Sequence, residues 1–171
     1  VIMIVFDSST LLLLAKSGLL DNFISDYTDE IIIPVEVKEE SCDRKNSFDA
    51  LLIQERIAEK KIKAVKVHNI KLCEKFMQDF SIAKGEAEAL VLSLEKKAAL
   101  LAVDDKNAIK ASRILKIPFT TAISILVRLA ERRIIDINKA KEDLRLLAVY
   151  GRYKDTTIRE AMERLKITKE G

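Results

Sequence analysis

The sequence predicts an α/β fold: a central, mostly parallel sheet covered by helices on both faces. Two observations carry that prediction. The chain opens on an apolar run from Val1 to Phe6, and a second such run spans Ala98 to Val103. Runs this short and this apolar suit strands buried on both faces, as in parallel sheets. The stretches between them alternate strand-like and helix-like patterns, the order expected of strand–helix–strand units.

Each element follows in order. Residues 9–26 read as helical, with Gly18 as a break between Leu-rich and Asp-rich parts. Ile31 to Ile33 form a β-branched strand stopped by Pro34, a residue suited to a first helical turn. A helix then begins at Val35, and its spacing puts Glu36 and Glu40 on one face with Glu39 to the side. A further helix over about 46–59 leads through Lys60 and Lys61 to a strand at Ile62–Val67. The next helix, near 70–79, carries Leu72, Cys73, Phe76 and Met77 as its apolar stripe. Gly85 opens another helix, acidic at its start and basic at its end, a polarity that matches the helix dipole. The strand ending at Val103 is followed by Asp104, Asp105 and a helix from Asn107. Ile117, Pro118 and Phe119 lead to Thr120 and Thr121 and a helix over 122–133. Two amphipathic helices, about 139–149 and 156–166, close the chain. The expected organisation is a domain over 1–135 with a helical extension, 136–171, packed on it; that extension also suits a partner-binding arm.

Composition narrows the chemistry. With 171 residues the chain supports one domain that buries roughly 70% of its unfolded surface. No apolar run reaches the ~18–20 residues of a membrane span. Neither a basic leader nor a small-residue cleavage site precedes the first strand, and there are only two cysteines, so the expected location is cytoplasmic. The formal charge of +3 does not itself point to nucleic acid, although local basic surfaces remain open. One histidine, His68, and two cysteines, Cys42 and Cys73, form no close-spaced zinc motif. Four glycines, no two of them close, leave no phosphate-cradling loop. Any chemistry must come from carboxylates, hydroxyls, amines or guanidinium groups.

Carboxylates stand at four element ends: Asp7, Glu36 with Glu40, Glu86 with Glu88, and Asp104 with Asp105. Each has a plain role available as a helix cap or a solvated face. Asp7 and Asp104, however, terminate the two most apolar strands, and ligands of parallel sheets sit beyond the carboxyl ends of strands. Carboxylates gathered there repel one another, and a hard divalent cation such as Mg²⁺ relieves that conflict.

In order and spacing, four stretches resemble the PIN domain, within it a small prokaryotic, toxin-like branch. They are Asp7-Ser8-Ser9-Thr10, then Pro34 to Glu40, then Gly85-Glu86-Ala87-Glu88-Ala89, and Asp104-Asp105 followed by Ile117 to Thr121. The resemblance covers about residues 2–130. It implies a Rossmann-like three-layer α/β/α fold and a Mg²⁺- or Mn²⁺-dependent endoribonuclease acting on single-stranded RNA. It also implies an antitoxin protein and a second copy of the chain as partners. Carried over by position, the metal and catalytic acids are Asp7, Glu40, Glu88, and Asp104 or Asp105. Ser8 or Ser9 supplies the hydroxyl beside Asp7, and Glu86 is the alternative to Glu88. Two departures stand out: the third acid is Glu where many relatives have Asp, and Thr120-Thr121-Ala122 lacks a frequent glycine.

Lys38, Lys106, Lys110 and Arg113 are the candidate contacts to an RNA backbone, though each also suits a solvated helix face. Two other classes of function compete. One is a PIN-like scaffold that binds RNA or protein without cutting. The other is acyl-phosphate chemistry on Asp7, which resembles haloacid-dehalogenase-like phosphatases only weakly, because Ser9 stands where their second aspartate is expected.

Overall fold

The computed structural model describes residues 2–43 and 47–170, without the side chains of Asp43, Lys169 and Glu170. Val1, residues 44–46 and Gly171, on which the first strand, the helix over 46–59 and the C-terminal extension partly fall, lie outside the described residues. The chain divides into two compact units, residues 1–12 with 29–120, and residues 13–28 with 121–171.

The first unit is built on five parallel strands: β1 (Met3–Phe6), β2 (Glu30–Pro34), β3 (Lys63–Val65), β4 (Leu100–Ala102) and β5 (Phe119–Thr120). Their order across the sheet is β3-β2-β1-β4-β5, and every pairing is parallel. The three-layer α/β/α class with a parallel sheet, expected from the sequence, is the class observed. β1 is central, and Ile4, Val5 and Phe6 are fully buried. Register aligns Phe6 with Ala102, so the residues after β1 and β4 emerge side by side.

Helix α1 (Ser8–Lys16) leaves β1 directly, and α3 (Val35–Lys38) leaves β2. A π-helical turn, Glu39–Asp43, continues α3 before α4 (Phe48–Ala58). α5 (Ile70–Phe80), α6 (Lys84–Lys96) and α7 (Lys106–Ile114) complete this unit. Val5, Ile32 and Leu101 from the strands, with Val103 just after β4, pack with Cys73, Phe76, Leu90, Ala108 and Ala111 from these helices in one apolar core. Buried Ala, Val and Leu between Ala87 and Leu92 explain why α6 lies on the sheet.

Three local expectations are corrected. Pro34 ends β2 with an extended ψ of 153°, capping α3 from outside rather than entering its first turn. The strand expected over 62–67 shortens to Lys63–Val65, which sits at the sheet edge, where pairing on one side alone supports it. β5 was not expected: two residues long and led by Pro118, it fits the rule that proline is tolerated beside edge strands.

The second unit is helical, with α2 (Leu20–Asp26), α8 (Ala122–Glu131), α9 (Ile137–Tyr150) and α10 (Asp155–Glu170). The break expected at Gly18 is present, with the glycine in the left-handed region at φ +78°. Arg132 grips Asp26 with two nitrogens at 2.9–3.1 Å, tying α2 to the end of α8.

Candidate metal centre

Sheet order reverses direction at β1 and β4, and the crevice outside such a reversal is where parallel sheets bind ligands. Asp7 and Asp104 stand there. The Asp7 backbone N–H donates to the Ala102 carbonyl at 3.1 Å, which holds the start of α1 against the end of β4.

Asp7 is almost wholly buried, at 1% exposure. One carboxylate oxygen, Oδ1, accepts the Thr10 N–H at 2.8 Å and so caps α1. The other, Oδ2, is buried and has no hydrogen-bond partner. Burial is the main reason its pKa rises from 3.8 to about 8; the Thr10 hydrogen bonds oppose the rise, and the Asp104 and Glu86 carboxylates add to it. A helix-capping oxygen and a buried oxygen without a hydrogen-bond partner therefore coexist in one side chain.

Thr10, fully buried, donates its hydroxyl to Asp104 Oδ2 at 2.7 Å. Asp105 caps α7 by accepting the Ala108 N–H at 2.9 Å. Of the two adjacent acids, Asp104 is thus the one tied to the Asp7 turn, and Asp105 the one tied to its own helix.

Glu40 comes from the π turn. A π turn adds one residue to the helical repeat, and such turns often mark functional sites. Glu36 pairs with Lys84 at 2.8 Å, while Glu40 Oε2 accepts the Ser8 hydroxyl at 2.6 Å. The Glu40 carboxylate also lies against Gly85 at the start of α6. Ser9 is exposed.

The two glutamates of α6 diverge. Glu86 Oε2 accepts the Ala83 N–H at 2.7 Å, and burial raises its pKa, with Asp105 and Glu40 adding to the rise. Glu88 is buried too, and burial raises its pKa, but its neighbours are Lys84 at 4.0 Å, Glu36 and Glu39. It accepts the Glu36 backbone N–H. That N–H lies in the first turn of α3, whose Pro34 cap supplies no side-chain acceptor, so Glu88 satisfies it from another helix.

The structure therefore brings Asp7, Ser8, Thr10, Glu40, Glu86, Asp104 and Asp105 to one sheet edge and turns Glu88 toward Lys84 and Glu36. Thr10 was not singled out from sequence; its place three residues after a strand-ending acid is the signal that marks it. Among the candidate cations, Lys106 and Lys110 are exposed on α7, and Arg113 stacks over Phe119 with 5.4 Å to the ring centre. Lys38 is half-buried on α3.

Among the described residues no three His, Cys, Asp or Glu side chains enclose a metal by themselves. The donors fit a hard cation nonetheless: Asp7 Oδ2 is buried without a partner beside two other carboxylates. Mg²⁺ keeps several waters and takes only one or two carboxylates directly, so a complete protein cage is not required. Among the described residues no helix is long and apolar enough to cross a membrane.

A family model described as a PIN domain matches residues 3–167. No curated protein and no solved structure matches the chain. PIN domains are in general nucleases, and in general they use divalent metal ions. The match runs from β1 into α10 and takes in every acid gathered at the sheet edge: the chain belongs to the PIN-domain family.

Proposed function

We infer that the protein is a metal-dependent endoribonuclease that hydrolyses phosphodiester bonds of single-stranded RNA. The observation that carries this reading is the buried, unpartnered Asp7 Oδ2 at the point where sheet order reverses, flanked by the carboxylates of Asp104 and Glu86. A bound Mg²⁺ or Mn²⁺ supplies an activated water and stabilises the negative charge that builds on the phosphate. Asp7, Glu40, Glu86 and Asp104 hold the cation directly or through its waters. Ser8 and Thr10 orient Glu40 and Asp104 by their hydroxyls. Asp105 adds negative charge while it caps α7, and the contacts of Glu88 favour Glu86 over it as the third acid. Lys106 and Lys110, exposed on the helix that follows Asp105, suit phosphate contacts along the RNA.

The resemblance to the toxin-like branch supports a role as the toxin of a toxin–antitoxin pair in the cytoplasm, with an antitoxin protein and a second copy of the chain as partners. We read residues 1–135 as the nuclease domain and 136–171 as a helical extension packed on it. Asp7→Asn tests the activity, because it removes the ligating charge with almost no change of shape. Even outer-shell losses cost ~10–100-fold in metal affinity or activity, so the expected loss of RNA cleavage in Mg²⁺ exceeds ~100-fold. Cleavage at the parent rate overturns the reading. No calorimetric Mn²⁺ binding by the parent at millimolar concentration points instead to a scaffold that binds without cutting.

A further inference from the structure

Gly85 is buried in the first turn of α6, and its backbone needs no glycine: among the described glycines only Gly18 has a positive φ. What requires it is a neighbour. A Cβ at this position would lie 2.6 and 2.7 Å from the two carboxylate oxygens of Glu40 and 2.9 Å from its Cδ, and these are the three nearest atoms. The same carboxylate accepts the Ser8 hydroxyl at 2.6 Å and adds to the raised pKa of Glu86. We propose that Gly85 is a positioning residue for the metal centre: its missing side chain is the space that seats the Glu40 carboxylate between Ser8 and the start of α6.

This inference rests on Glu40 belonging to the metal centre. The obstructing atoms all lie at the far end of one flexible side chain, so a methyl at Gly85 displaces Glu40 and leaves the backbone where it is. Alanine also favours a helix more than glycine does. Gly85→Ala is therefore expected to fold with a melting temperature at or above the parent's, yet to bind Mn²⁺ about tenfold more weakly by calorimetry, the scale of an outer-shell loss. Glu40→Asp withdraws the carboxylate by one methylene. In that background Gly85→Ala has less to displace, and the two losses of Mn²⁺ affinity are expected to be clearly less than additive.

Additive losses overturn the proposal. So does parent-like Mn²⁺ binding by Gly85→Ala when Glu40→Gln binds weakly, an outcome that leaves the metal reading of Glu40 intact. If Glu40→Gln itself binds Mn²⁺ as the parent does, Glu40 is not part of the centre and the role of Gly85 falls with it. A Gly85→Ala protein that fails to fold also overturns it, because the methyl is then meeting something that cannot yield.

Discussion

Thr10 holds Asp104 by a 2.7 Å hydrogen bond across 94 residues of sequence, and through it the turn after β1 is fastened to the turn after β4. The same residue gives its backbone N–H to Asp7. One threonine therefore sets the relative position of the two acids that end the central strands. Thr10→Val keeps the shape and the backbone donor but removes the hydroxyl. Because the group is fully buried, the expected cost is about 1–2 kcal/mol of stability, read from urea unfolding. RNA cleavage should fall about tenfold, as for the loss of an outer-shell partner. Thr10→Ser, which retains the hydroxyl, should keep most of the activity. Parent-like cleavage by the valine variant means that the bond fastens the fold without orienting Asp104 for chemistry.

Without a bound cation, Asp7 should make the protein sensitive to alkali. Its pKa in the folded chain, about 8, lies above its ordinary 3.8, chiefly through burial. The fold prefers the protonated form, so the stability this group contributes is complete below pH 4 and is lost as pH rises toward and past 8. Glu86 and Glu88 are raised as well, again by burial first, and act in the same sense. In EDTA, urea unfolding at pH 5, 7 and 9 should show falling stability. Asp7→Asn, neutral throughout, should flatten that slope and be the more stable protein at pH 9. A parent whose stability is level or rising across this range contradicts the buried, unpaired state of Asp7.

Cation binding should then release a proton. Near pH 7 most Asp7 side chains carry one, and a carboxylate must lose it to ligate a metal. Calorimetric titration with Mn²⁺ at pH 7, repeated in buffers of different ionisation enthalpy, should report between half a proton and one proton released per ion bound. Apparent affinity should climb with pH and level off above about 8. A binding enthalpy independent of the buffer means that Asp7 is not the residue giving up a proton.

Part of this site was legible in the sequence for a plain physical reason. Two strands buried on both faces must be apolar throughout, so an acid at the end of each stands out, and Asp7 and Asp104 could be found by that contrast. Gly18 and the helices on either side of it followed from backbone freedom in the same way. Other features depend on rotations that spacing does not encode. Val35 to Glu40 reads as continuous helix, and nothing in its composition announces the π turn from which Glu40 meets Ser8. β5 is too short and too polar to register as a strand, since it owes its existence to hydrogen bonds from Leu101 and Val103. The seat that Gly85 provides is visible only once Glu40 is in space beside it.

The same limit governs the choice between Glu86 and Glu88. Both sit at the acidic start of α6, but at about 100° per residue two positions separated by two point to nearly opposite sides of a helix. The resemblance to the PIN domain placed Glu88 in the metal set with Glu86 as the alternative. In the structure the charges acting on Glu86 are those of Asp105 and Glu40, whereas Glu88 faces Lys84 and Glu36 and caps α3. Glu86→Gln should therefore weaken Mn²⁺ binding about tenfold or more and slow RNA cleavage in step. Glu88→Gln keeps an acceptor for the Glu36 N–H but leaves Lys84 with one buried partner fewer. Because burial already disfavours the charged form of Glu88, stability near neutral pH should stay within about 1 kcal/mol of the parent's, and Mn²⁺ affinity within about twofold. The opposite pattern, with Glu88→Gln losing the metal and Glu86→Gln retaining it, requires α6 to turn its first two turns toward Asp7 when the cation binds.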